Sequence, residues 1–371
     1  MLRRFAWIVF MSALLWGSVA LEMDAQSKPP VQAAEADYGQ TLLHQLALSA
    51  LPTASQEVVL DDSKRGKKIY VRFTYPTEGG PYPVIVFSHG AGGSRDGYEY
   101  LAKYWAEHGY VCLQPSHVDS IALNRELGVR FSFVKTIRSL PSDRHSWLER
   151  VRDVSFLIDS LPKLSEEPAL KGKMITAEVG VGGHSFGAFT SQLIGGASVP
   201  SVAADSTDPK VADQRVRCIL AISPQGVRPN EGSLGFESPD SFRGLKLPAM
   251  FLTGDRDQSV WNGSNQRADA FRNSPAGDKY FVSINGANHM TFAGMKKEAS
   301  SNAYGQMLWE RAIDSKMPAS YGDEADHLNL TVVLTTLFWN AYLKGDVQTR
   351  TYLQSHGFKT LIGKRGLAEH K

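Results

Sequence analysis

The stretch that decides the fold is Val179-Gly180-Val181-Gly182-Gly183-His184-Ser185-Phe186-Gly187-Ala188. An apolar, strand-like run leads into the pattern Gly-x-Ser-x-Gly, and a helix-forming sequence follows it. In a nucleophile elbow, glycines around a serine let the chain make a strained turn that lifts the hydroxyl out of a sheet. The stretch therefore predicts that Ser185 is a nucleophile. Adjacent side chains at such a turn point apart, so His184 is not expected to be the base of Ser185. We assign it a structural role or a place in the wall of the substrate pocket.

A serine nucleophile needs a base within hydrogen-bond reach and an acid that orients the base. His289 stands in a small-residue loop just after the last predicted strand of the central region, and we assign it as the base. Asp255 and Asp257 both follow another strand. We prefer Asp257, because a residue deeper in the loop can turn back toward the histidine, whereas Asp255 more naturally caps the strand end or pairs with Arg256. The order Ser185, Asp257, His289 is that of α/β-hydrolases.

Attack of a serine on a carbonyl group places negative charge on oxygen, and two preorganised donors are needed to stabilise it. An apolar strand ends at Ser88 and continues into the loop His89-Gly90-Ala91-Gly92-Gly93. We assign the donors of this oxyanion hole as the backbone N–H groups of Ala91 and Phe186, and we expect His89 to support the loop. A glycine-rich phosphate cradle is excluded, because no Gly-Lys-Ser/Thr follows. His117 is left as a pocket candidate without an assigned role.

Strand and helix patterns alternate through the body of the chain. Short apolar runs predict strands at Lys68-Thr74, Pro83-Ser88, Tyr110-Gln114, Glu178-Gly182, Cys218-Ser223, Ala249-Thr253 and Tyr280-Ile284. Helical spacing is clear from Trp147 to Leu161 and again from Leu330 to Ala341, with Gly345 as the stop. This alternation predicts a mostly parallel central sheet flanked by helices on both faces, without a large cap domain.

The N-terminus resembles a targeting segment. Residues 1–20 combine two arginines, an apolar run and the small-residue site Ser18-Val19-Ala20, which is typical of a secretory signal peptide. A retained anchor is the alternative, because the apolar run is close to the minimum span of a membrane. We expect residues 21–35 to form a polar linker and residues 36–371 a single domain. Cleavage would leave a secreted or periplasmic protein with no stable membrane span.

Composition excludes several function classes. Lys and Arg number 40 against 38 Asp and Glu, so the chain lacks the basic character of a nucleic-acid-binding protein. The two cysteines, Cys112 and Cys218, are too few for a disulfide scaffold or a thiolate zinc site. They fall in apolar strands that are not neighbours in the usual α/β-hydrolase order, so we expect two buried free thiols.

Three of these segments together resemble a known family. They are Pro83–Gly93, the helix around Arg152–Asp159, and Gly183–Ala188. They are similar to the platelet-activating-factor acetylhydrolase and dienelactone-hydrolase-like branch of the α/β-hydrolases. Dienelactone hydrolases use a cysteine nucleophile, whereas this elbow carries Ser185, so the resemblance implies a serine esterase or lipase.

The implied reaction is two-step acyl transfer through an acyl-enzyme, which needs no metal or organic cofactor. We expect an ester or lipid substrate, no nucleic-acid partner and a monomer. Short-chain acyl esters or phospholipids of the acetylhydrolase type are the first prediction for the substrate. A lipase or cutinase-like polyester hydrolase is the second prediction, and a non-catalytic binding member of the fold is the third. Trp261 and His184 are the predicted substrate-binding residues.

Overall fold

The computed structural model describes residues 31–130, 132–140, 142–199, 211–228, 233–258, 263–294 and 322–371. Within these ranges the strands form one nine-stranded sheet of spatial order β1-β2-β4-β3-β5-β6-β7-β8-β9. In chain order the strands are β1 (Thr53–Asp62), β2 (Lys67–Pro76), β3 (Tyr82–Ser88), β4 (Val111–Ser116), β5 (Met174–His184), β6 (Val216–Ile222), β7 (Ala249–Arg256), β8 (Lys279–Asn288) and β9 (Gly366–His370).

The centre of the sheet, from β4 through β3, β5, β6 and β7 to β8, is parallel. Strands β2 and β9 pair antiparallel at its two sides, and β1 pairs antiparallel with β2. The carboxyl ends of all the parallel strands therefore lie along one edge of the sheet. In open α/β sheets, that edge is where ligands bind.

Helices cover both faces of the sheet, as the alternating pattern predicts. They are α1 (Val31–Leu48), α2 (Glu99–Glu107), α3 (Ile121–Glu126), α4 (Phe133–Ser139), α5 (Arg144–Leu164), α6 (Phe186–Ile194), α7 (Asp269–Asn273), α8 (Glu324–Tyr342), α9 (Val347–Leu353) and α10 (His356–Ile362). The two predicted helical stripes are the buried faces of α5 and α8. Gly345, the predicted stop, takes the left-handed conformation that favours glycine after a helix, with φ 68°.

The side chains of strand β3 are buried on both faces of the sheet. Val84 and Val86 belong to the buried cluster that contains the apolar faces of α5 and α6. Ile85 and Phe87, which point to the opposite face, belong to the cluster formed with α2 and α8. Both faces of the strand are covered, so both sets of alternating side chains must be apolar. The prediction of an α/β-hydrolase sheet with helices on both faces is confirmed.

The sequence patterns did not predict strands β1 and β9 or the N-terminal helix α1. Strand β1 is mostly polar and partly exposed, and β9 has only five residues, because each lies at an edge of the sheet. Helix α1 begins at Val31, so residues 31–35 of the predicted linker are helical. Between β4 and α5 the described chain forms the short helices α3 and α4 and no separate domain.

The predicted signal peptide, residues 1–20, lies outside the described residues. Among the helices that the structure does describe, none combines the length and the apolar character needed to cross a bilayer.

The two cysteines are free and buried, as expected. Cys112 lies on β4 and Cys218 on β6, and strands β3 and β5 separate them. Three strand spacings place the two residues about 14 Å apart, which is too far for a disulfide. Burial also raises the pKa of the Cys112 thiol, so its reactive thiolate is disfavoured.

We therefore predict that a thiol-reactive chromogenic disulfide leaves the native protein unmodified and modifies two thiols per chain after denaturation. Absorbance titration in buffer and in guanidinium chloride measures both values. Free cysteine provides the control for reagent activity. A denatured, unreduced protein that titrates no thiol would contain a disulfide and would contradict the strand order.

Candidate active site

The turn between β5 and α6 holds Ser185 in a strained conformation. Its φ of 57° and ψ of −112° fall in a region that side-chain-bearing residues rarely adopt. A Cβ atom on Gly187 would collide with the backbone of Ser88, and one on Gly183 would collide with the backbone of Gly187. The glycines on both sides of Ser185 are therefore required because β3, β5 and α6 approach backbone to backbone.

His289 and Asp257 lie in line with the Ser185 hydroxyl. The distance from Ser185 Oγ to His289 Nε2 is 2.9 Å, and that from His289 Nδ1 to Asp257 Oδ1 is 2.8 Å. A carboxylate only accepts hydrogen bonds, so Nδ1 carries the proton and Nε2 is free to accept the serine proton. Asp255 points elsewhere and accepts a hydrogen bond of 2.7 Å from the backbone N–H of Gly286.

Asp257 is fully buried, and its neighbours keep it ionised. Its Oδ2 accepts a hydrogen bond of 2.8 Å from the Thr253 hydroxyl, and its Oδ1 lies 3.2 Å from Arg267 Nη2. Burial opposes ionisation, but the charges of Arg267 and His289 outweigh it and hold the pKa of Asp257 well below its ordinary value. A permanently ionised carboxylate can both orient an imidazole and stabilise its cation.

Burial lowers the pKa of His289 below its ordinary value of 6.5. Asp257 acts against this change, and Arg267 adds to it. An imidazole with a lowered pKa stays neutral at neutral pH, which is the form that accepts a proton.

The assigned oxyanion loop lies against the elbow. A Cβ atom built on Gly90 would be in contact with Ser185 Cβ at 3.6 Å, and Ala91 follows at once. Phe186 is the first residue of α6, so its backbone N–H has no partner inside the helix. Both assigned donors therefore belong to segments that adjoin Ser185.

Arg150 forms hydrogen bonds with the backbone of the assigned oxyanion loop. This buried residue of α5 donates to the carbonyl oxygens of His89, at 2.6 Å, and Gly90, at 3.3 Å. Its Nη2 also donates to Asp119 Oδ2 at 2.8 Å, and the same oxygen accepts the backbone N–H of Gly92 at 2.9 Å. Arg150 and Asp119 together fix the carbonyl groups of His89 and Gly90 and the backbone N–H of Gly92.

His184 connects the oxyanion loop to the base. Its Nε2 donates to the backbone oxygen of His289 at 3.1 Å, so its Nδ1 accepts the Tyr98 hydroxyl at 2.8 Å. The Tyr98 oxygen in turn accepts the backbone N–H of Gly90 at 3.2 Å. His184 is almost fully buried, which places it in a supporting position inside the protein.

A second Ser-His-Asp arrangement begins at Ser88, which ends β3 and is paired with Gly183 on β5. Ser88 Oγ is 2.9 Å from His117 Nε2, and His117 Nδ1 is 2.9 Å from Asp153 Oδ2. All three residues are fully buried, and Ser88 Oγ also accepts a hydrogen bond from Arg150. A serine hydroxyl whose oxygen already accepts a hydrogen bond from a cation is a poor nucleophile. The Ser88-His117-Asp153 arrangement therefore supports the assigned oxyanion loop, and it gives His117 a structural role.

Sequence reasoning missed the two buried arginines, Arg150 and Arg267. Each stands in a helical segment where a surface position is the usual expectation, and only the folded chain shows what it contacts. The predicted substrate-binding residue Trp261 lies outside the described residues. Among the described residues, no group of three His, Cys, Asp or Glu side chains is arranged to hold a metal ion.

Comparison with known proteins agrees with the resemblance seen in the motifs. The family model "Platelet-activating factor acetylhydrolase, isoform II" matches residues 66–127. The chain is also 24% identical over 309 residues to the platelet-activating factor acetylhydrolase of Cavia porcellus. The chain resembles the acetylhydrolase branch of the α/β-hydrolases.

This similarity is partial. The alignment covers 75% of this chain and 65% of the guinea-pig protein, so the chain spans less than two thirds of that relative. The family model covers the oxyanion loop and Asp119 but ends before Ser185. The roles of Ser185, Asp257 and His289 therefore rest on the geometry described above.

Proposed function

We propose that the protein is a secreted serine carboxylic-ester hydrolase that acts through an acyl-enzyme. The observation that carries the proposal is the hydrogen-bonded line from Ser185 through His289 to Asp257, with Ser185 in a strained turn. The acetylhydrolase name of the guinea-pig relative supports ester hydrolysis as the reaction class. The predicted signal peptide supports secretion or a periplasmic location.

In the first step, His289 Nε2 takes the proton of Ser185 as Oγ forms a bond to the ester carbonyl carbon. The N–H groups of Ala91 and Phe186 stabilise the resulting oxyanion, and ionised Asp257 stabilises the imidazolium. The tetrahedral intermediate then loses the alcohol, which leaves with the proton from His289.

In the second step, His289 takes a proton from water, and the hydroxide oxygen bonds to the acyl carbon. Collapse of this second intermediate breaks the bond to Ser185 Oγ, which recovers its proton from His289. The products are a carboxylic acid and free enzyme. Every group in the two steps belongs to the chain, the substrate or water.

The proposed substrates are short-chain acyl esters, including phospholipids of the acetylhydrolase type. The supporting observations are the relative's name and the packing of two phenylalanines near the site. Phe236 and Phe242, which could have lined a long acyl channel, are instead fully buried and pack against each other with ring centroids 4.6 Å apart.

A series of p-nitrophenyl esters from acetate to palmitate tests the proposal on the wild type and on Ser185→Ala. We expect kcat/KM to be highest for acetate or butyrate and to fall as the chain lengthens. Ser185→Ala should lose about 10⁴-fold or more in kcat, because the nucleophile is absent. Equal activity in the two proteins would contradict the proposal, and a preference for long or insoluble esters would indicate a lipase or cutinase-like enzyme instead.

A comparison of Asp257→Asn with Asp255→Asn tests the choice of the acid. Asp257→Asn should lower kcat by about 10³- to 10⁴-fold, because an amide cannot hold the imidazole in the correct tautomer. Asp255→Asn should stay within a few-fold of the wild type. Thermal unfolding verifies that both variants are folded, and a larger loss in Asp255→Asn would show that the assignment is wrong.

A further inference from the structure

We propose that Arg267 is a positioning residue for the catalytic base: it fixes the Asp257 carboxylate against His289 and extends the working range of the base toward lower pH. The inference rests on the proposed function. Arg267 lies in the 3₁₀ helix Ser264–Ala268, which follows β7 along the chain, and its side chain is fully buried.

The guanidinium group of Arg267 joins the ends of two strands. Its Nη1 donates to the backbone oxygens of Ser223, at 3.1 Å, and Pro224, at 2.9 Å, just after β6. Its Nε donates to the backbone oxygen of Asp257 at 3.4 Å, and its Nη2 faces the Asp257 carboxylate at 3.2 Å. A planar fork of donors can satisfy all these acceptors at once, which the single ammonium of lysine cannot do.

The same group also approaches the base. Arg267 Nη2 lies 3.3 Å from His289 Nδ1. Both atoms carry hydrogens when Nδ1–H donates to Asp257, so this approach is a repulsion between two donors. The positive charge of Arg267 disfavours the imidazolium form of His289, and the negative charge of Asp257 favours that form. Arg267 and Asp257 therefore act in opposite directions on the proton affinity of His289.

In the part of the chain that the structure describes, the polar side chains that contact the His289 ring come from four segments. They are Ser185 at the elbow, His184 at the end of β5, Asp257 after β7 and Arg267 in the 3₁₀ helix. Burial holds the pKa of His184 well below its ordinary value, so this residue is neutral in the working range. Among the described residues, Asp257 and Arg267 are then the permanently charged groups that contact the His289 ring.

The sign of the effect follows from these charges. Neutral His289 is the active form, so activity falls as the pH drops through its pKa. Removal of the neighbouring cation removes a charge that opposes the imidazolium, and the pKa of His289 rises. Activity should then be lost at a higher pH than in the wild type.

The test is the pH dependence of kcat/KM for p-nitrophenyl acetate in the wild type and four variants. In Arg267→Met and in Arg267→Gln, the acidic limb should move upward by about one pH unit. In Arg267→Lys, which keeps the charge but not the fork, the limb should stay in place while kcat falls. Arg272→Met is the matched control: its partner is Asp269 and its side chain is 61% exposed, so its profile should match that of the wild type.

A purely structural role for Arg267 would lower activity equally at every pH. An unmoved acidic limb in the folded neutral variants would therefore overturn the inference. If neither neutral variant folds, Arg267→Lys decides: an unchanged kcat overturns the inference, and so does a KM for p-nitrophenyl acetate that changes together with kcat, whereas a fall in kcat with KM unchanged supports it. The inference fails separately from the proposed function, because wild-type activity and its loss in Ser185→Ala are measured first.

Discussion

The backbone contact between the elbow and the end of β3 fixes the rest of the site. Helix α6 approaches β3 so closely that the position of Gly187 has no room for a side chain, and Ser185 takes up the resulting strain in its φ and ψ angles. The same contact places the loop from Gly90 to Gly92 beside the serine. The positions of Ser185 and of the two segments that carry the assigned oxyanion donors therefore follow from one packing constraint of the sheet.

Two buried arginines, Arg150 and Arg267, stabilise the loops that lie beside Ser185 and His289. Arg150 donates hydrogen bonds to a carbonyl oxygen of the assigned oxyanion loop and to Asp119. Arg267 forms an ion pair with Asp257, the assigned acid. A buried guanidinium is tolerated only where a carboxylate and several hydrogen-bond acceptors compensate for its lost hydration. Both arginines meet this requirement, and each connects segments that are far apart in the chain. Two buried ion pairs, Arg150 with Asp119 and Arg267 with Asp257, therefore hold the loops of the site in place.

Sequence patterns predicted the central strands, helices α5 and α8, and the candidate triad, because each of these has a local signal. Gly-x-Ser-x-Gly after an apolar run identifies an elbow, and His289 and Asp257 follow strands whose ends must share one edge of the sheet. Strands β1 and β9 lacked such a signal, since exposed edge strands need no apolar face. The role of Arg267 also lacked one, because its partners are chosen by tertiary contacts and not by spacing.

The described residues contain two Ser-His-Asp arrangements, and the surroundings of each serine distinguish them. Ser185 lies in the strained turn after β5, whereas Ser88 ends β3 and its hydroxyl accepts a hydrogen bond from Arg150. Labelling with a fluorophosphonate, followed by peptide mass spectrometry, tests this distinction directly. The account predicts one adduct per chain, located on Ser185 and absent from His289→Ala. An adduct on Ser88, or equal labelling of Ser185 in the absence of His289, would contradict it.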